Sequence, residues 1–252
     1  MVTVRVPATT ANLGPGFDTL GLALALYNTL TFEELTEGLY FEGVDPEYAT
    51  AENLAVVAYK AVLSKLGLPM PGLRISVQAE IPICRGLGSS AALIAAGAAG
   101  ANANHGSPLT RAELLAVCND IEGHPDNLAP AIFGGLVASF VENERPYIAR
   151  YSLHKRLRCT ALIPDFQLST HLARGVLPKE VPYGDAIFNV SRTAVLLRAL
   201  EEGDTETISV SLRDKLHQPF RRTLIPGFDE AEALANSCGC VAFFISGAGP
   251  TL

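Results

Sequence analysis

With 252 residues, the chain has material for one large domain or two smaller ones with substantial cores. Apolar residues make up 48% and charged residues 18%, and the net charge of −7 argues against a nucleic-acid-binding face. Five cysteines (Cys84, Cys118, Cys159, Cys238, Cys240) are an odd, scattered set that reads as reduced thiols, and Cys238-Gly239-Cys240 is too tight for the usual zinc spacing.

The first ten residues, MVTVRVPATT, have neither a signal-peptide core nor a transit-peptide composition, so a cytoplasmic location is expected. Val2–Val6 alternates apolar and polar residues and predicts a strand that ends at Pro7. A glycine-rich turn, Pro7–Asp18, follows; Leu20–Tyr27 and Asn28–Leu35 then predict a second and a third strand. Asn53–Leu66 carries apolar residues at helical spacing, with Asn53 readable as its cap and Gly67 and Pro69 as its stop. Leu73–Val77 predicts the next strand.

That strand leads into Ile81–Ala92, IPICRGLGSSAA, and the alanine-rich run to Ala103. Gly86 and Gly88 allow close backbone approach, Ser89 and Ser90 suit a helix start, and alanines propagate the helix. A helix N-terminus after such a loop favours a phosphate through its free N–H groups and dipole. No lysine follows the second glycine, so this is not the usual P-loop. The apolar run is mostly Ala and Gly, which predicts a buried helix rather than a membrane span.

Thr110 and Glu113 form a capping-box pattern for a helix over Leu109–Asp120. Glu122, His124, Asp126 and Asn127 crowd the next segment, where Pro125 and Pro130 forbid a long helix. Arg158–Ile163 and Val241–Ile245 read as strands, and Ala186–Leu200 as a helix ended by Gly203. Ser246–Pro250, SGAGP, is a further glycine turn.

The string P-x-x-R-G-L-G-S-S-A-A resembles the ATP loop of the GHMP kinases, and SGAGP resembles their third motif, where glycines would let the backbone press against the first glycine loop. PATTANLGPGFDTLGLAL, EGHPDN-x-AP-x-x-x-GG, STHLARGVLP and LHQPFRRTLIPG are similar to motifs of the homoserine kinase branch of that family. The resemblance spans Val6 to Thr251. It implies an α+β, two-domain GHMP kinase fold. The N-terminal domain (1–152) would be ribosomal-protein-S5-domain-2-like with a left-handed βαβ unit. The C-terminal domain (153–252) would be ferredoxin-like and cut short relative to the family. The implied activity is transfer of the ATP γ-phosphoryl group to the hydroxyl of L-homoserine, in threonine biosynthesis.

The resemblance also assigns residues. Pro82, Arg85, Gly86, Leu87, Gly88, Ser89, Ser90 and Ala91 would hold ATP, with Asn53 as an adenine-side contact if it is not simply a cap. Mg2+ would sit on Ser90 and Glu122, with Asp120 as the alternative to Glu122. Asn12, Asp18, His124, Asn127, Arg174 and Arg221 would bind the amino-acid substrate: Asp18 suits an ammonium group and the two arginines a carboxylate. The catalytic set would be Asn127, Ser90 and Glu122. Asn127 stands where several relatives carry an aspartate base, and an amide cannot take up a proton. Expected partners are ATP and homoserine, with no nucleic acid and no membrane; a homodimer is an open option. A kinase of another alcohol, such as mevalonate, and a non-catalytic ATP-binding protein are the rival readings.

Overall fold

The computed structural model describes residues 1–252. Its first part is one six-stranded sheet backed by helices. Strand β1 (Val2–Ala11) pairs antiparallel with β2 (Leu20–Leu35), and it runs through Pro7 instead of stopping there. The ladder shifts register between Pro7 and Thr9, the kind of irregularity at which a strand tolerates a residue without an N–H. The second and third strands expected from sequence are one 16-residue strand. Its second half pairs with β4 (Gly72–Ala79) and its start with β5 (Leu136–Glu142). Asn28, read as a break, is a buried side chain whose Oδ1 accepts the N–H groups of Glu80 and Ile81.

Strand β3 (Leu39–Glu42) lies parallel to β4, and helix α1 (Leu54–Lys65) connects them, giving the expected βαβ unit. Strand β6 (Arg145–Tyr151) closes the other edge, so the order is β3-β4-β2-β5-β6, with β1 also on β2. Asn53 caps α1, its Oδ1 accepting from Ala55 N at 3.0 Å. Helices α2 (Ser89–Asn104) and α3 (Arg111–Glu122) pack with α1 over the sheet, and the capping box of Thr110 and Glu113 forms. Gly123, left-handed at φ 87°, stops α3, and a short α4 (Leu128–Phe133) carries Pro130 in its first turn.

Beyond Tyr151 the regular structure is helical: α5 (Thr170–Gly175), α6 (Tyr183–Glu202), α7 (Thr205–Ser211), α8 (Gln218–Arg221) and α9 (Phe228–Ser237). The chain is α+β as expected, but residues 158–163 and 241–245 are extended without being strands. Leu162 exchanges two backbone hydrogen bonds with Leu252, and Ile245 N is taken by the Gln218 side chain, so no ladder builds. Alternation in sequence predicts an extended backbone but not its partner. No helix is long and apolar enough to cross a membrane.

The largest core cluster lies between the first sheet and α1–α3. A second joins the two parts: Leu13, Leu20, Leu22 and Leu136 pack against Leu196, Leu200, Ile208 and Leu212. A third, with Leu168, Ala173, Ile225, Phe228 and Ile245, holds α5 beside α9.

Close packing of α1 on α2 depends on small residues. A Cβ at Gly97 would overlap the backbone carbonyl of Ala55, which cannot swing away as a side chain could. Gly97→Ala should therefore destabilise the fold by about 1–3 kcal/mol through overpacking, against a helix-propensity gain of about 1 kcal/mol. Gly184→Ala in α6, where nothing lies within reach of a new Cβ, should be neutral or stabilising. Urea midpoints of the two variants test the contrast.

Candidate active site

Helix α2 begins at the glycine loop, and its cap is Gly88, left-handed at φ 68°, rather than a serine. No side chain caps the helix, so its first N–H groups remain available to an anion. Ser89 and Ser90 lie in the first turn, and Ser90 Oγ donates to Glu122 Oε2 at 2.7 Å. Gly88 is pressed against the side chains of Thr9 and Asn127, and Gly86 against the carbonyls of Ser246 and Gly249. The second glycine turn thus does press on the first. Ser246 Oγ donates to Gly86 O at 2.6 Å and Thr251 N to Arg85 O at 3.2 Å.

A cavity of about 530 Å³ opens over this junction. It is lined by Tyr48, Asn53, Leu54, Val77, Ile83 and Leu93, by Arg85, Gly86, Gly88, Ser89 and Ser90 of the glycine loop and the start of α2, and by Asn12, Asp18, Glu122, His124, Asp126, Asn127, Arg174, Arg221 and Gly247–Gly249. Three residues expected at the nucleotide do not line it: Pro82, Leu87 and Ala91. The Leu87 and Ala91 side chains are in the main core, so the loop exposes backbone rather than these groups. Asp120 is exposed and off the cavity while Glu122 lines it, because two helical residues apart point about 200° apart.

Asn12 and Asp18 sit on a strained turn, with φ of 70° and 53°. Asn12 is buried and committed internally: Nδ2 donates to Gly247 O at 2.9 Å and Oδ1 accepts from Asp18 N at 3.0 Å. It shapes the loop that presents Asp18. Asp18 is met by Arg174 of α5 in a two-pronged ion pair, Nη2–Oδ1 at 2.7 Å and Nη1–Oδ2 at 3.0 Å. The hydrogen bond from Asp18 raises the Arg174 pKa further.

Arg221 is only 2% exposed. Its Nε donates to Ala173 O and its Nη1 to Gly247 O at 2.9 Å, so it braces α5 against the second glycine turn as well as facing the cavity. Burial, then the neighbouring Arg174, pulls its pKa down to about 10, which leaves it a cation at neutral pH. His124 and Asp126 form a 2.7 Å pair, and that hydrogen bond raises the His124 pKa. Asp126 is 2% exposed and also accepts Asn127 N. Asn127 Oδ1 accepts from Thr9 Oγ1 at 2.8 Å, leaving its amide donors for the cavity.

Sequence reasoning missed three supports. Thr9, inside the strand beyond Pro7, fixes Asn127. Phe17 stacks on His217 at 5.2 Å and faces both Arg174 and Arg221. An aromatic residue inside N-L-G-P-G-F-D was a visible signal for it. Asp214 accepts the N–H groups of Leu216, His217 and Gln218 and the Asn189 side chain, a role no local pattern announces.

The model of the GHMP kinases N terminal domain matches residues 53–135, and that of the GHMP kinases C terminal region matches residues 196–252. The homoserine kinase of Clostridium botulinum (strain ATCC 19397 / Type A) is 46% identical over 252 residues, covering 100% of this chain and 85% of that protein. The chain belongs to the homoserine kinase family of the GHMP kinases. The homoserine kinase of Moorella thermoacetica is 48% identical over 255 residues, covering 100% of this chain and 86% of its own length. The crystal structure of homoserine kinase from Cytophaga hutchinsonii superposes with a TM-score of 0.87 at 29% identity, covering 99% of this chain and 83% of that one. A mevalonate kinase structure, at 15% identity and TM-score 0.69 over 99% of this chain and 88% of that one, shares the fold. As a member of this family, the chain is an ATP-dependent kinase.

One buried group in the site makes a prediction about pH. His217 Nε2 faces the carbonyl of Gly14 at 2.8 Å and so carries the hydrogen, while Nδ1 faces Arg221 Nη1. Burial, helped by the Arg221 charge and opposed by Asp214, holds the His217 pKa below its usual value. The unfolded chain therefore takes up this proton first, at about pH 6.5, and folding stability from this residue is lost as pH falls from there. His217→Gln, which keeps a donor for Gly14 but cannot charge, should flatten the fall in melting temperature between about pH 6.5 and 5. An unchanged slope would remove His217 from the account.

Proposed function

We propose that the chain transfers the γ-phosphoryl group of ATP to the side-chain hydroxyl of L-homoserine, giving O-phospho-L-homoserine on the route to threonine. The observation that carries this is one cavity lined both by the uncapped N-terminus of α2 and by Asp18, Arg174 and Arg221. In this reading residues 1–152 form the ATP-binding domain and 153–252 the second domain, and the enzyme acts in the cytoplasm. The apolar lining around Tyr48 and Leu54 takes the adenine, and the N–H groups of the loop and of α2 take the phosphates. Asp18 suits an ammonium group, which homoserine has and mevalonate lacks.

Mg2+ fits the site. Ser90 Oγ and Glu122 Oε2 are 2.7 Å apart at the mouth of α2, two hard oxygens beside the place for phosphates. One carboxylate and one hydroxyl are a suitable share for an ion that keeps water and phosphate oxygens in its shell. When bound, the ion neutralises phosphate charge.

The residues of the chain do the rest by positioning. Asn127, fixed by Thr9, directs amide donors toward the reacting oxygens, and His124, held by Asp126, supplies a second donor. Phosphoryl transfer passes through a loose transition state, so aligned groups and balanced charge matter more than early proton removal. No protein base is invoked. The acceptor oxygen bonds to phosphorus as the bond to ADP breaks, and its proton passes late to an oxygen of the transferring phosphoryl group, because Asn127 cannot take it and Asp126 already holds His124 and Asn127 N.

A coupled ADP-release assay with homoserine, mevalonate and galactose side by side tests the function. Homoserine should be the preferred acceptor by a wide margin, and equal use of mevalonate would overturn the assignment. In the same assay Ser90→Ala should lose about 10²-fold in turnover while still binding ATP. Asp126→Asn tests the base-free step. A general base contributes about 10²–10⁴-fold, so a loss of that size with fold and ATP binding intact would make Asp126 the base. A loss under about tenfold is expected.

A further inference from the structure

Asp18 and Arg174, the groups expected to receive the ammonium and carboxylate of the substrate, are spent on each other here. Both oxygens of Asp18 accept from both terminal nitrogens of Arg174, at 2.7 and 3.0 Å. The two residues come from different parts of the chain, Asp18 from the strained turn after β1 and Arg174 from α5. We propose that this ion pair is a latch that selects for a zwitterion. The proposal rests on the amino-acid-binding reading of the site given above.

The argument is one of charge balance. A ligand bearing both an ammonium and a carboxylate replaces one ion pair by two, Asp18 with the ammonium and Arg174 with the carboxylate. A hydroxy acid without an amine that takes the two-pronged face of Arg174 leaves Asp18 bare, in a cavity it shares with Asp126 and Glu122, whose charges also act on Arg174. An amino alcohol without a carboxylate leaves Arg174 bare beside Arg221, each cation opposing the other. Arg221 cannot relieve this by moving, because it is buried and tied to Ala173 and Gly247. Singly charged alcohols of the right length are thus rejected by the cost of opening the pair, in addition to the contact they lack. Asp18 acts as a specificity-determining residue against hydroxy acids, and Arg174 against amino alcohols.

A simple contact model gives a different forecast. If Asp18 only adds affinity for an ammonium group, its removal should leave the binding of a hydroxy acid unchanged. If it holds a latch, its removal frees Arg174 and improves that binding.

The test measures dissociation constants by titration calorimetry, and kcat/KM by ADP release, for L-homoserine, 4-hydroxybutanoate and 3-aminopropan-1-ol. In the wild type both singly charged alcohols should be poorer than homoserine by about 10²-fold or more. In Asp18→Asn, homoserine should weaken by about 10²-fold while 4-hydroxybutanoate tightens by about tenfold, the partial exposure of the pair keeping the gain modest. Arg174→Gln should likewise improve 3-aminopropan-1-ol. Thermal melting and the KM for ATP establish that each variant is folded. If 4-hydroxybutanoate binding is unchanged or weaker in a folded Asp18→Asn protein, the latch is overturned. A wild type that phosphorylates none of these alcohols overturns the homoserine kinase reading instead, and the calorimetric ordering then decides the latch alone.

Discussion

The carbonyl of Gly247 is the point on which the site depends. It accepts from Asn12 of the first glycine turn and from Arg221 of α8, each at 2.9 Å, while Gly247 N donates to Ala11 O. Three segments far apart in the chain are joined at one residue. A buried acceptor left bare would carry a desolvation cost of about 1–3 kcal/mol, so the three arrive together. The same turn lies against Gly86, where a Cβ would overlap the carbonyls of Ser246 and Gly249. The glycine loop is therefore shaped by a segment distant in the chain: the turn at residues 246–250 closes on it and adds to what its own glycines allow.

Much of the architecture was legible because it is written locally. The caps at Asn53 and Thr110, the stops at Gly67 and Gly203 and the glycine loop are short-range chemistry, and all formed. The errors share one cause. Sequence patterning ends a strand at Pro7 and starts a new one at Asn28, yet pairing with β2 carries the first past its proline, and the Asn28 side chain, buried against the Glu80 and Ile81 amides, lies within one continuous strand. Alternation reads residues 158–163 and 241–245 as strands, but a strand needs a neighbour, and Gln218 takes the amide of Ile245 instead. Neighbours across space are what a single sequence shows least well.

The candidate site shows the same division. Every residue expected on the amino-acid side lines the cavity, since those motifs are dense in polar groups. What each group does there was not legible. Asn12 braces a loop rather than facing out with both amide groups, and Arg221 is a strut as well as a cation. Thr9 lies within the PATTANLGPGFD motif and Asp214 just before LHQPFRRTLIPG, yet the support each gives is visible only through the bonds it makes.

The absence of a P-loop lysine has a structural consequence. Without that charge, the proposed phosphate site at α2 would draw more on fixed dipoles, beside the metal ion expected on Ser90 and Glu122, and dipole fields weaken quickly with displacement. A loop that relies on backbone N–H groups needs those groups held still before the ligand arrives, since no flexible ammonium group can follow it. The links around the loop meet this need: Thr9 N to Leu87 O, Ser246 Oγ to Gly86 O and Thr251 N to Arg85 O fix three successive carbonyls from the side away from the cavity. Each link spends a carbonyl and leaves the amide of the loop free. The glycines, the neighbouring strand and the distant SGAGP turn are thus parts of one device, in which rigidity of the backbone takes the place of a mobile charge.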